Sequence, residues 1–172
     1  SYTLATQALS PLSINLLTTC RDGCYLPARQ AMLLGAMLAG QAFANAPVAA
    51  VHALAYPIGG LFHVPHGLSN ALVLPHVLRF NLSHAAPLYA QLAAVLQPGI
   101  VGSEEARAVA LIDAMQALAH ATGIARTLRE VGIAASDLDR LTDDAMLQTR
   151  LLGNNPRVVT RADARAIYAA AL

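Results

Sequence analysis

The chain has 172 residues, 56% of them hydrophobic and only 12% charged. It is long enough for one ordinary domain but poorer in charge than a typical soluble surface requires. A net charge of +1 gives no electrostatic footprint for nucleic acid or an anionic membrane. The two cysteines, Cys20 and Cys24, are too few for a disulfide framework and read as ordinary thiols near a helix end.

The opening SYTLATQALS lacks the charged-then-apolar layout of a signal peptide. Periodicity is helical almost throughout, so an all-α bundle, a single helical domain over residues 1–172, is expected. Pro27 suits the first turn of a helix running to about Asn45, which Ala46-Pro47 interrupts. The stretch AMLLGAMLAGQAFANAPVAAV has the length of a membrane span, and residues 30–78 carry no formal charge. It is built on Ala and Gly, however, and carries Gln41, Asn45 and Pro47, so a buried helix fits better than a lipid-spanning one.

A helix through His52 is expected to end by Gly59-Gly60, with LFHVPHG as a loop. An apolar helix from about Leu68 to Asn81 must then accommodate Pro75, and Ser83 is a plausible N-cap for a short helix to Leu96. After the turn-rich QPGIVG, Ser103-Glu104-Glu105 opens an amphipathic helix to about Ala121, with Gly123 beyond it. Ser136 and Thr160 read as further N-caps, Thr160 with Asp163 three residues on, and Gly153-Asn154-Asn155-Pro156 separates the last two helices.

The uncharged region holds His52, His63 and His66. On one straight helix His52 and His66 would stand about 21 Å apart at 1.5 Å per residue, whereas ligands of one ion each lie about 2 Å from it. They can share a metal only if the chain reverses, for which Pro57, Gly59-Gly60 and Pro65 supply the means. Tyr56, four residues after His52, would share its helix face. On spacing alone a structural role is the stronger reading for every histidine, and two are too few for a catalytic metal.

The run AMLLGAMLAGQAFANAPVAAVHALAYPIGGLFHVPHGLSNALVLPHVLRFN resembles the signature region of the iron-containing (group III) alcohol dehydrogenases. The shared pattern is G-x-x-x-A-G-x-A-F-x-N-A, then H-A-L-A-x-P-x-G-G, then F-H-x-P-H-G-x-x-N-A-x-x-L-P-x-V-x-x-F-N, and the closing NNPRVVTRADARAIYAAAL is similar to that family's C-terminus. The resemblance implies an all-helical C-terminal domain related to that of dehydroquinate synthase, which in the family follows an NAD(P)-binding Rossmann-like domain. It implies a divalent iron, replaceable by zinc, held by one Asp and three His, of which the last two match His52 and His66. The other two ligands stand in a D-x-x-x-H segment that this chain is expected to begin just after, and the glycine-rich cofactor segment is likewise absent from it.

The activity implied is hydride transfer between an alcohol or aldehyde and NAD(P), by a cytoplasmic enzyme acting as a homodimer in its full-length form, with no nucleic-acid or membrane partner. Where many members have a histidine near the nicotinamide, this chain has Tyr56, which can hydrogen-bond but cannot relay protons near neutral pH as imidazole does. Phe43 and Asn45 are expected to line the substrate side, and residues 151–157 to edge the cleft. Two alternatives stay open: a relative resembling maleylacetate reductases or hydroxyacid-oxoacid transhydrogenases, and a non-catalytic helical assembly module. These 172 residues alone are expected to be inactive and to bind metal weakly.

Overall fold

The computed structural model describes residues 2–172, which contain helices and turns and no strand. In chain order the helices are α1 (Tyr2–Arg21), α2 (Leu26–Asn45), α3 (Ala50–Phe62), α4 (His66–Leu96), α5 (Glu104–Ala121), α6 (Leu138–Met146), α7 (Thr149–Leu152) and α8 (Arg161–Ala171). The chain divides into two compact units, one of residues 2–47 with Ala86–Gly123, the other of Val48–Ala85 with Ile124–Leu172.

In the first unit α1 and α2 lie against each other through small residues, Ala8, Ala28, Gly35 and Ala42 all being buried. A Cβ on Gly35 would stand 2.6 Å from Leu12 Cγ and 3.3 Å from the Ala8 carbonyl, so only glycine admits this approach. Pro27 sits in the first turn of α2, as its fixed φ favours, and the helix ends at Asn45 where Ala46 turns extended. Ser103 caps α5 by accepting from the Ala106 N–H at 3.1 Å.

The second unit has the larger core, in which Leu54, Ile58, Val73, Val77, Leu128, Ile133, Leu141 and Tyr168 are almost completely buried. α6 buries Leu138, Leu141, Thr142 and Ala145, and α8 buries Ala164, Ile167, Tyr168 and Ala171. Both sets follow the i, i+3, i+4, i+7 spacing of one helix face. Outside, Arg161 bridges Asp139 and Asp143, and Arg165 also reaches Asp139; pairs this exposed add little stability.

Several boundaries differ from the sequence reading. α3 does not stop at Gly59-Gly60 but continues to Phe62 with Pro57 inside it, because its apolar face is buried on the core at Leu54, Ala55, Pro57 and Ile58. The expected loop therefore shrinks to His63–Pro65, and α4 starts at His66 rather than Leu68. Ser83 caps nothing: α4 runs unbroken through Pro75, Ser83 and Pro87 to Leu96, and the Ser83 hydroxyl lies 2.9 Å from His84 Nδ1. Ser136 is not the cap of α6 either, since a 3₁₀ turn over Ala135–Asp137 leads into the helix and the Asp137 carboxylate accepts from the Ala134 N–H. No single helix among the described residues is long and apolar enough to cross a membrane.

At Thr160 the expected cap is present: its hydroxyl accepts from the Asp163 N–H at 3.2 Å, while the Asp163 carboxylate accepts from the Thr160 N–H at 3.0 Å and from the hydroxyl at 2.6 Å. These donors hold the Asp163 carboxyl below its ordinary value. Thr160→Val is predicted to lower unfolding stability by about 1 kcal/mol, measured by denaturant titration. A carboxyl whose folded pKa is depressed contributes above its unfolded value, about 3.9, and loses that contribution as pH falls through the lower folded value. Asp163→Asn should therefore lose stability at pH 7 and show a shallower stability decline than wild type below about pH 4.

Candidate metal centre

α3 and α4 are joined by three residues. His63 takes the left-handed conformation at φ 56°, closing α3 with its N–H on the Gly59 carbonyl at 3.0 Å. Val64 then lies back over Gly59, its carbonyl 3.4 Å from where a Cβ would be. Pro65 fits the residue before a helix, where its missing N–H costs nothing. The buried Ser69 hydroxyl lies 3.2 Å from both the Val64 and Pro65 carbonyls and pins the reversal from inside. Reversal is thus achieved by His63 to Pro65, not by Pro57 and the glycine pair.

That reversal brings His52 and His66 together, with ring centroids 5.3 Å apart and planes inclined at 52°. Tyr56 stands beside both, its ring 6.4 Å from His52 and 6.1 Å from His66. Burial, and secondarily the charge of His66, hold His52 below the usual imidazole value. It is therefore neutral near pH 7, the form a metal requires. The Asn70 amide, one turn beyond His66, donates to the His66 carbonyl at 2.9 Å and lies 3.1 Å from the ring Nε2, steadying that side chain.

The spacing suits a shared ion. An imidazole bound through nitrogen at about 2.1 Å has its ring centre roughly 3.2 Å from the ion, so two rings at a tetrahedral angle stand about 5.2 Å apart. The donors are imidazole nitrogens, of the kind divalent iron or zinc accepts. Among the described residues no third His, Cys, Asp or Glu joins them. The pair therefore fits as part of a metal site and leaves positions for other donors.

Phe43 and Asn45 belong to the first unit. There Phe43 is half-exposed beside an open apolar groove of about 520 Å³ between α1 and α2, and the Asn45 amide donates to the Gln41 carbonyl. Cys20 and Cys24 are exposed free thiols. The loop after α7 is stitched to the second unit by Asn154, Asn155 and Arg157. Ser69 and Asn70 were given no role in the sequence reading; their signal was a place one turn after His66, and for Asn70 also the asparagine of the quoted P-H-G-x-x-N-A pattern.

The family model described as "Fe-containing alcohol dehydrogenase family, C-terminal" matches residues 2–172. The chain belongs to that family. It is 40% identical over 169 residues to long-chain-alcohol dehydrogenase 1 of Geobacillus thermodenitrificans, covering 98% of this chain and 43% of the relative. Against 1,3-propanediol dehydrogenase of Klebsiella pneumoniae it is 34% identical over 165 residues, 95% of this chain and 42% of that one. The fold superposes on the alcohol dehydrogenase from Oenococcus oeni with a TM-score of 0.94 at 32% identity, over 99% of this chain and 44% of the other. The chain thus spans less than half the length of these family members.

His63, exposed and strained in the left-handed region, is separable from the pair it joins. His63→Gly is predicted to leave metal uptake unchanged and to raise stability by up to about 1 kcal/mol, because glycine adopts that conformation freely. Metal analysis after dialysis and a thermal melt check both parts.

Proposed function

We propose that this chain supplies two ligands, His52 and His66, to the divalent metal site of an alcohol dehydrogenase that passes a hydride between an alcohol or aldehyde and NAD(P). The observation carrying this reading is the 5.3 Å approach of the two rings in a chain of the Fe-containing alcohol dehydrogenase family. Iron is the first expectation and zinc the second, the remaining ligands coming from outside residues 1–172. When bound, such an ion supplies Lewis acidity, lowering the pKa of an alcohol and polarising a carbonyl.

The chain's own residues have simpler tasks. His52 and His66 present imidazole nitrogens from two helices fixed by one short reversal. Tyr56, 42% exposed beside both rings, is proposed to orient a substrate oxygen by hydrogen bonding. For Phe43 and Asn45 as substrate-side residues, and for a homodimer, the support is the family resemblance. The alcohol itself is left to a substrate panel.

In the protein expressed from its complete reading frame, His52→Ala and His66→Ala are each predicted to abolish stoichiometric metal and to reduce NAD(P)-dependent alcohol oxidation by at least a hundredfold, with the fold retained by circular dichroism. Wild-type metal content in either variant would defeat the reading. Residues 1–172 alone, with two imidazoles, should bind zinc far more weakly than that protein in a chelator competition; equal affinity would show the site to be complete within them.

A further inference from the structure

α3 is held from outside at two backbone carbonyls, one just before the helix and one within it. Asn154, after α7, donates its side-chain N–H to the Val48 carbonyl at 2.9 Å, four residues before His52. Tyr168, in α8, donates its hydroxyl to the Leu54 carbonyl at 2.6 Å, two residues after His52. Leu54 follows Ala53, whose carbonyl four residues before Pro57 is the one that proline leaves without an N–H and crowds with its ring. The completely buried Tyr168 hydroxyl therefore adds an outside donor at the carbonyl next to the one Pro57 disturbs. Burial also pushes the Tyr168 pKa well up, keeping the donor proton in place.

The same loop is tied to α4, the helix that begins at His66. Asn155 and Asn81 exchange amide hydrogen bonds at 2.8 and 2.9 Å. The Arg157 guanidinium donates to the Phe80 carbonyl at 2.9 Å and lies 4.0 Å over the Phe80 ring. One segment thus references both ligand helices. We propose that Asn154 and Tyr168 are positioning residues of the metal centre, fixing the entry of α3 and its turn at Leu54 so that the His52 ring meets His66. This rests on the reading of that pair as metal ligands.

The test uses the protein from its complete reading frame, with cobalt(II) as the probe. Wild type, Tyr168→Phe, Asn154→Ala, the double variant, His52→Ala and Thr160→Val are compared at a temperature where each is fully folded. Two quantities are read, the cobalt dissociation constant by chelator competition and the visible absorption of the cobalt-loaded protein, which reports ligand geometry. Tyr168→Phe and Asn154→Ala are each expected to weaken binding about tenfold, and the double variant more, with altered absorption; outer partners of metal ligands act at this scale. Thr160→Val destabilises α8 without touching an α3 carbonyl and should change neither. Wild-type affinity and spectrum in the double variant, while His52→Ala loses cobalt, would overturn the proposal and spare the metal reading. Equal weakening by Thr160→Val would reduce the effect to general stability and also overturn it. Cobalt bound normally by His52→Ala would bring down the metal reading and the proposal together.

Discussion

The second unit depends on one short reversal. Two imidazoles fourteen positions apart can approach to 5.3 Å only if the chain turns back between two rigid helices, and three residues do this. His63 accepts a left-handed conformation that histidine rarely adopts, Pro65 opens the next helix, and Ser69 ties the connection to the helix it leads into. A longer, looser loop would reach the same point but would not hold it, since each freely rotating residue adds conformations that a ligand must then remove.

Rigidity in the loop is useful only if the helices themselves cannot drift. α3 carries a proline in its middle, which would ordinarily leave it free to bend, and it is the C-terminal segment that fixes it. The core supplies non-directional pressure through Leu54 and Ile58. The bonds from Tyr168 and Asn154 add direction, because a hydrogen bond to a particular carbonyl specifies rotation as well as distance. The second unit therefore combines bulk burial with a few long-range polar contacts, and those contacts fall on the backbone around His52.

Much of this could be read from the residues. Pro27, Ala46-Pro47, Ser103 and the Thr160–Asp163 pair marked their boundaries because each acts through chemistry within a few positions. The residues themselves give the approach of His52 to His66 only as a geometric condition, and the family resemblance singles out that pair. What the sequence misjudged lay where burial outweighs local preference. Gly59-Gly60 and Pro57 look like the end of a helix, yet the apolar face of α3 keeps them helical; Ser83 looks like a cap, yet α4 passes through it. The contacts of Tyr168 and Asn154 had no local signal at all, being made with carbonyls over a hundred positions away.

That separation has a consequence for how the site comes into being. The loop joining His52 to His66 closes early and at little entropic cost, but the bonds that orient it bridge 106 and 114 positions and belong to the slow, non-local class of folding contacts. During synthesis α3 and α4 leave the ribosome long before their braces exist, so the histidine pair would first form as a loose, unaligned version of itself. On the proposed reading, competence to hold an ion would then wait for the hydrogen bonds made by α8 and the loop before it, which places metal uptake after the formation of α3 and α4.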